Sequence, residues 1–359
     1  MQQQIHQTLQ QAWLTRGWLA ILLLPLSALY GALAWLHRYL YIWGILKTQR
    51  VTVPVVVVGN IVAGGGGKTP TVMALVHHLK YKGWQVGVVS RGYGRDNDIC
   101  TEVLPHSSVA QVGDEPLLLA NTCQVPVFVA TKRFEAASQL LAKYPVTNII
   151  ISDDGLQHHA LHHDVAITVL DDRGVGNGWL LPAGPLRETL RETFGETLRE
   201  SQLREQNNLV LHTGNHPVKI ATTAPQFTAK RCLAQQARRH DGSKVNLADL
   251  NELAARANKP LVALAGIANP ESFFVMLRDL GLQLSKTIAL PDHYSFNSKL
   301  GNEYAGYSLI CTDKDAVKLW QTAPHALAVG LEFVPEPAFF TQVDTLLAGL
   351  KSSTSSSSN

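Results

Sequence analysis

The stretch "GNIVAGGGGKTPTV", residues 59–72, sets Gly64, Gly65, Gly66 and Gly67 directly before Lys68 and Thr69. Glycines let a loop turn its backbone N–H groups inward, where they bind phosphate oxygens. A lysine after them neutralises the β- and γ-phosphates, and the next threonine hydroxyl binds Mg2+. The strict form of this pattern has glycine at position 62, where this chain has Val62. The apolar run before the loop supplies a strand, and Pro70 suits the first helical turn, where its missing N–H costs nothing. A glycine turn that precedes Lys-Thr by chance would lack those flanks. The sequence therefore predicts nucleotide binding by Gly64, Gly65, Gly66, Gly67, Lys68, Thr69 and Pro70.

A metal-bound nucleotide needs a second acid. "NIIISDDGLQ" ends an apolar strand in Asp153 and Asp154. Carboxylates at the carboxyl end of a parallel strand face the crevice where ligands bind. One or both would hold Mg2+ directly or through water. Asp-Asp-Gly is also an ordinary turn, but its place after a buried strand favours the metal role. Further polar clusters sit just beyond expected strands: "SRGYGR" with Arg91 and Arg95, and "QVGDEP" with Asp114 and Glu115 in a loop. "GPLRE" places Arg187 and Glu188 at a helix start, and "PDHYSF" joins Asp292 to His293. Singly these read as turns, caps or a hydrogen-bonded histidine; together they suggest an active crevice between two domains.

Two segments are ambiguous. In "QHHALHHD", His158/His162 and His159/His163 are spaced i,i+4, which binds zinc on a helix. No cysteine or carboxylate pattern completes such a site, so a surface or substrate-side helix turn is the simpler reading. In "CTDKDAVK", Lys314 lies between Asp313 and Asp315 and either touches nucleotide or pins a loop.

The elements that must position these residues alternate. "VPVVVVGN" is a continuous β-branched run of the kind a strand buried on both faces requires. Helix patterns over 70–80 and 132–143 alternate with strands "WQVGVVS", "PVFVA", "NIIISDD" and "VAITVLDD". That order predicts a doubly wound, mostly parallel α/β sheet. The chain turns polar over 192–208, and a second series follows: "LVLHTG", "PLVALAGI", "KTIAL", "SLICTDKD" and "HALAVGLEF". The expected organisation is an N-terminal segment (1–50), a P-loop domain (51–207), a second, smaller α/β domain (208–350) and a disordered serine-rich tail (351–359).

The 359 residues, 46% of them hydrophobic, suffice for two cores. A net charge of +3 with no dense basic block argues against nucleic acid as a partner. Cys100, Cys123, Cys232 and Cys311 are far apart and have neither metal nor redox spacing. The exception to a soluble composition is "WLAILLLPLSALYGALAW", Trp18 to Trp35, which holds no charge. It is about the length needed to cross a bilayer. Trp13 and Trp18 flank one edge, and Trp35, Tyr39, Tyr41 and Trp43 the other, as interfacial belts do. Arg16 lies too deep, and the run is too long, for a cleaved signal peptide. Pro25 would kink a continuous helix. Membrane association follows, either spanning or lying in the interface, with the cytoplasm as the home of the rest because Arg38, Lys47 and Arg50 follow the run.

Eight stretches together resemble the tetraacyldisaccharide 4'-kinase family, the lipid A 4'-kinases of Gram-negative bacteria. They are "VGNIVAGGGGKTP", "SRGYGR", "VGDEPLLLA", "IISDDGLQHHALHHDVAI", "NGWLLPAGPLRE", "AGIANPESFF", "LPDHYSF" and "TDKDAVKL", in the family's order from Val51 to Leu319. Gly66 stands where the family usually has threonine. The resemblance implies ATP- and Mg2+-dependent phosphorylation of the 4'-hydroxyl of a tetraacyl glucosamine disaccharide 1-phosphate, at the cytoplasmic face of the inner membrane, without an obligatory protein partner. A four-chain lipid stays in the bilayer, since each buried CH2 is worth about 0.8 kcal/mol; the enzyme must go to it. The implied roles are Lys68 on the β/γ oxygens, Thr69, Asp153, Asp154 and Glu188 around Mg2+, and Asp114 as base with His293 orienting or tuning it. Arg91, Arg95, Arg133 and Arg187 are alternatives for the substrate's 1-phosphate. A membrane-attached nucleotide switch is the competing reading. A GTPase would show Asn-Lys-x-Asp, whereas "TDKDA" has Asp313 where asparagine belongs.

Overall fold

Val55–Gly59 (β1) is buried along its whole length, and so are Val86–Ser90 (β2) and Ile149–Asp153 (β5). With apolar neighbours on both faces, such strands need no polar alternation. The computed structural model describes residues 11–64, 66–194, 207–214, 217–267, 270–291, 294, 303–304 and 306–356. Gly65, Asp292 and His293 lie outside them.

The chain forms two compact units, Met1–Lys230 with Pro335–Asn359, and Arg231–Val334. The first opens with helices Trp18–Leu22 (α1) and Leu24–Ile42 (α2). After β1 come Lys68–Tyr81 (α3), β2, Thr101–Glu102 (β3), Val109–Val112 (α4), Asp114–Cys123 (α5), Val127–Val129 (β4) and Arg133–Lys143 (α6). Then follow β5, Val165–Leu170 (β6), Leu190–Phe194 (α7) and Asn208–His212 (β7). The strands lie in the order β3-β4-β2-β5-β1-β6-β7. All neighbouring pairs are parallel except β3–β4. This is the expected doubly wound sheet, and it brings the carboxyl ends of β1, β2, β5, β6 and β7 to one edge.

The strand Gln226–Arg238 (β8) starts beside β7, pairing Val210 with Gln226, and continues into the second unit. That unit holds Lys244–Asn246 (β9), antiparallel to the end of β8. Its helices are Leu250–Arg256 (α8), Pro270–Asp279 (α9) and Asp313–Leu319 (α10). Leu261–Ala265 (β10), Leu284–Ala289 (β11), Ser308–Thr312 (β12) and Leu327–Pro335 (β13) form a parallel set in the order β11-β10-β12-β13. Phe273, Phe274, Leu277 and Ile310 fill its core.

The structure departs from the sequence reading at several points. The run at 208–212 joins the first sheet next to β6, not the second unit, because an apolar strand pattern does not say which sheet it enters. β8 went unpredicted, since its buried and exposed residues follow no clean period of two. The apolar N-terminal run is two helices rather than one kinked helix: Pro25 sits in the first turn of α2, where proline is tolerated. Among the described residues no helix is long and apolar enough to cross a membrane. Finally, the last helix, Pro337–Ser356 (α11), runs into the serine-rich tail, because extending a docked helix costs far less than nucleating one.

That docking is apolar and ionic. Phe339, fully buried, meets Phe227 edge-on at 5.8 Å. Asp344 reaches His78 at 2.9 Å and Lys82 at 3.1 Å, both at the end of α3. Phe339→Ala is expected to lower the unfolding free energy by about 3–5 kcal/mol, measured by urea titration; an unchanged midpoint would show that α11 does not dock.

Candidate active site

The loop after β1 leaves the sheet through Asn60, whose Oδ1 accepts from the Val62 N–H at 2.7 Å. Val62 then pairs with Leu186, and the Ala63 N–H donates to the Pro185 carbonyl at 2.8 Å. Val62 is thus a buried bridge residue, which accounts for the absence of glycine there. Gly67 has φ +103°, and a Cβ on it would lie 2.7 Å from the Thr213 hydroxyl; both facts require glycine. The helix α3 begins at Lys68, two residues earlier than the pattern predicted, so Lys68 and Thr69 sit in its first turn. Thr69 is buried.

β5 delivers the acids. Asp153 is 1% exposed; its Oδ2 accepts from the Ser90 hydroxyl at 3.3 Å, and its Oδ1 has no partner among the described residues. Burial, then the nearby carboxylates of Glu115 and Asp154, push its pKa up to about 7. Asp154 adopts φ +50°, an unfavourable conformation for a residue with a Cβ. Its carboxylate meets Lys68 Nζ at 3.2 Å and Arg187 Nη1 at 3.4 Å. Burial opposes its charge, yet Lys68 and Arg187 hold it below the usual carboxylate range. Arg133 donates from Nη2 to the Asp154 carbonyl at 3.2 Å, bracing the strained turn.

The donor set fits a divalent cation. Asp153 has a buried, unpartnered carboxylate oxygen beside a second carboxylate, and a buried hydroxyl, Thr69, lies at the same strand edge. Mg2+ commonly uses one or two carboxylates together with substrate phosphates. Glu188 is differently placed. It accepts from Gln157 Nε2 at 2.8 Å, and burial raises its pKa.

Asp114 opens α5 after Gly113 (φ +87°), not a loop, and its Oδ1 accepts from the Glu115 N–H at 2.9 Å. The arginines divide. Arg187 faces Asp154 and also donates to Gln157 Oε1 at 3.3 Å. Arg91 is exposed. Arg95 is held in its own loop by the Ile99 carbonyl at 2.6 Å. Arg133 is 4% exposed, and burial lowers its pKa to about 10, so it serves the interior and is not a surface phosphate ligand.

The histidine run is not helical. Leu156–Ala160 is turn-rich, which removes the i,i+4 geometry. His158 Nε2 accepts from the Arg133 N–H at 3.2 Å and is kept neutral by burial, its pKa lowered to about 4. No group of three metal-binding side chains occurs among the described residues. In the second unit, Asp315 is buried and accepts from the Gly266 N–H at 3.0 Å and the Thr312 hydroxyl at 2.7 Å. Asp313 pairs with Arg238 at 3.3 Å. "TDKD" therefore pins a loop.

Residues that sequence reasoning passed over include Ser90, Gln157, Thr213, Asp171 and Arg173. Asp171 ends "VAITVLDD" much as Asp153 ends β5, so the same strand-end rule would have found it.

A parallel sheet with a glycine loop, a lysine in the first turn of the following helix and adjacent acids at its carboxyl edge defines the P-loop class of nucleotide-binding proteins. The model of the family described as tetraacyldisaccharide-1-P 4'-kinase matches residues 19–348. The tetraacyldisaccharide 4'-kinase of Polaromonas naphthalenivorans (strain CJ2) is 52% identical over 357 residues, covering 98% of each chain. That of Polaromonas sp. (strain JS666) is 52% identical over 346 residues, covering 95% of this chain and 96% of its own. A crystal structure of "apo" form LpxK from Aquifex aeolicus in complex with ATP superposes with a TM-score of 0.73 at 28% identity, covering 92% of this chain and 99% of that one. The chain belongs to the tetraacyldisaccharide-1-P 4'-kinase family.

Burial and the neighbouring carboxylates raise the Asp153 pKa from the ordinary 3.8 to about 7 in the folded chain. Between those values the folded state holds the extra proton, so this group's contribution to stability falls as pH rises and its full cost is present above 7. Asp153→Asn in EDTA is therefore expected to raise Tm by at least ~2 °C at pH 8 and to leave it unchanged near pH 4. An equal effect of the substitution on Tm at both pH values would refute the buried charge.

Proposed function

We propose that the protein transfers the γ-phosphoryl group of ATP to the 4'-hydroxyl of a tetraacyl glucosamine disaccharide 1-phosphate at a membrane surface. The observation that carries this reading is the Lys68–Asp154–Arg187 cluster set against the unpartnered Asp153 oxygen at the end of the glycine loop. Phosphoryl transfer needs little covalent chemistry from the protein; positioning and charge compensation do most of it.

Lys68 leaves Asp154 for the β- and γ-phosphate oxygens when ATP enters the loop. Asp153, Asp154 and Thr69 would hold Mg2+, which when bound compensates phosphate charge. Glu188 acts one layer out, by holding Gln157, which in turn orients Arg187. Arg187, tethered to Asp154 and half-buried, is the best placed of the candidate arginines for an anionic substrate group, ahead of exposed Arg91 and loop-bound Arg95. Asp114 takes the proton from the 4'-hydroxyl, with His293 as the group that tunes it.

The N-terminal helices support membrane association without spanning. One side of α2 is tied to the segment that carries Arg187: Ser27 donates to the Leu180 carbonyl at 2.6 Å and Tyr30 to the Arg187 carbonyl at 2.9 Å. The other side exposes Leu26, Leu29, Leu33 and Leu36, each between 43% and 58% accessible, at i, i+3, i+7 and i+10. An apolar stripe of this kind lies in a bilayer interface, and it would bring the arginine segment to the lipid.

Incubation with MgATP and the lipid disaccharide 1-phosphate should yield a bisphosphorylated lipid. ATP hydrolysis with the lipid left monophosphorylated would favour a nucleotide switch. Asp114→Asn should lower kcat by at least ~100-fold while changing ATP affinity little; a loss confined to ATP affinity would make Asp114 a nucleotide ligand. Replacing Leu26, Leu29 and Leu33 with Gln should raise KM for lipid in vesicles by about tenfold or more and leave the KM for ATP unchanged. An unaltered lipid KM would remove the stripe from substrate access.

A further inference from the structure

The structure assigns to Asp171 and Arg173 the setting of the glycine loop's shape for ATP: a positioning pair at the end of β6. This rests on the nucleotide-binding part of the reading above.

The loop's glycines bring no side chains of their own, so its shape must be imposed from outside. Asp171 Oδ2 accepts from the Gly66 N–H at 3.1 Å, and Arg173 Nη2 donates to the Gly64 carbonyl at 2.6 Å. The two contacts fall on either side of Gly65. They are made rigid by each other: Arg173 Nη2 also donates to Asp171 Oδ2 at 2.7 Å, and its Nε meets Oδ1 at 3.1 Å. The Arg173 N–H adds a bond to Asp171 Oδ1 at 3.1 Å. Such a fork is planar and has one geometry, unlike a lysine contact. Thr213, at the end of β7, closes the third side by donating to the Gly66 carbonyl at 3.3 Å. Burial works against the Asp171 charge, but Arg173 and the Gly66 N–H hold its pKa low, so the carboxylate is charged whenever the enzyme works.

A loop that is free to sample other shapes would lose affinity for ATP in proportion to the time spent in them. Neither residue bonds to the acids that organise the metal, and neither lies in α5. Their loss should therefore appear in ATP binding and leave the KM for lipid unchanged.

The test is calorimetric titration of MgATP into the full chain, together with separate KM values for ATP and lipid. Arg173→Ala is expected to weaken ATP binding by roughly tenfold or more, the size of one lost charge-assisted hydrogen bond, with lipid KM unchanged. Asp171→Asn should weaken ATP binding in the same direction, and Arg173→Lys should recover only part of the loss. If Arg173→Ala does not fold, the two milder variants carry the test. Unchanged ATP affinity in Asp171→Asn and Arg173→Lys would overturn the assignment. So would tighter binding in Asp171→Asn, which would make the carboxylate a competitor for the phosphate position. A wild-type chain that binds ATP but leaves the lipid unphosphorylated defeats the proposed activity and leaves this assignment standing.

Discussion

A carboxylate taken out of water demands compensation, and the architecture around β5 follows from that demand. Asp153 is buried with one oxygen bare, a state costly enough to shift its proton equilibrium instead. The positive groups nearby do not bond to it: Lys68 and Arg187 go to the Asp154 carboxylate and Arg133 to the Asp154 carbonyl. The site thus keeps two adjacent acids in opposite conditions, one ion-paired and one short of a partner. Parallel pairing of β5 with β1 and β2 holds that contrast in place, since Val58 lies opposite Asp153 and Val89 opposite Ser152.

Much of this was legible from residue type and order. Buried parallel strands are written as β-branched runs, so β1, β2, β5 and β6 were visible, and with them the edge where Lys68, Thr69, Asp153 and Asp154 meet. What a linear pattern does not contain is the partner of each group. Arg133 looked like one more phosphate-binding arginine; only its packing beneath Asp154 separates it from Arg187. The four histidines offered helical spacing, but the turn at 156–160 removed it. Asp171 escaped because the strand-end argument was applied to β5 alone. His293 lies outside the described residues, so its relation to Asp114 rests on the family resemblance.

The second unit illustrates how acidic motifs can be purely architectural. Asp315 satisfies a backbone N–H and a hydroxyl while buried, and Arg238 lies over the Trp320 ring at 4.8 Å while it pairs with Asp313. Both aspartates are thus matched by partners within their own unit. The same residue types at β5 leave an oxygen bare, and that difference, not composition, marks a functional site.

The N-terminal helices are joined to the rest through main-chain acceptors. Trp13, Ser27, Tyr30 and Arg38 donate to the carbonyls of Pro182, Leu180, Arg187 and Glu192 respectively. Main-chain oxygens are common to every amino acid. These four bonds therefore do not depend on the side chains at 180, 182, 187 and 192, so a change of the Arg187 side chain would leave the Tyr30 bond to its carbonyl in place.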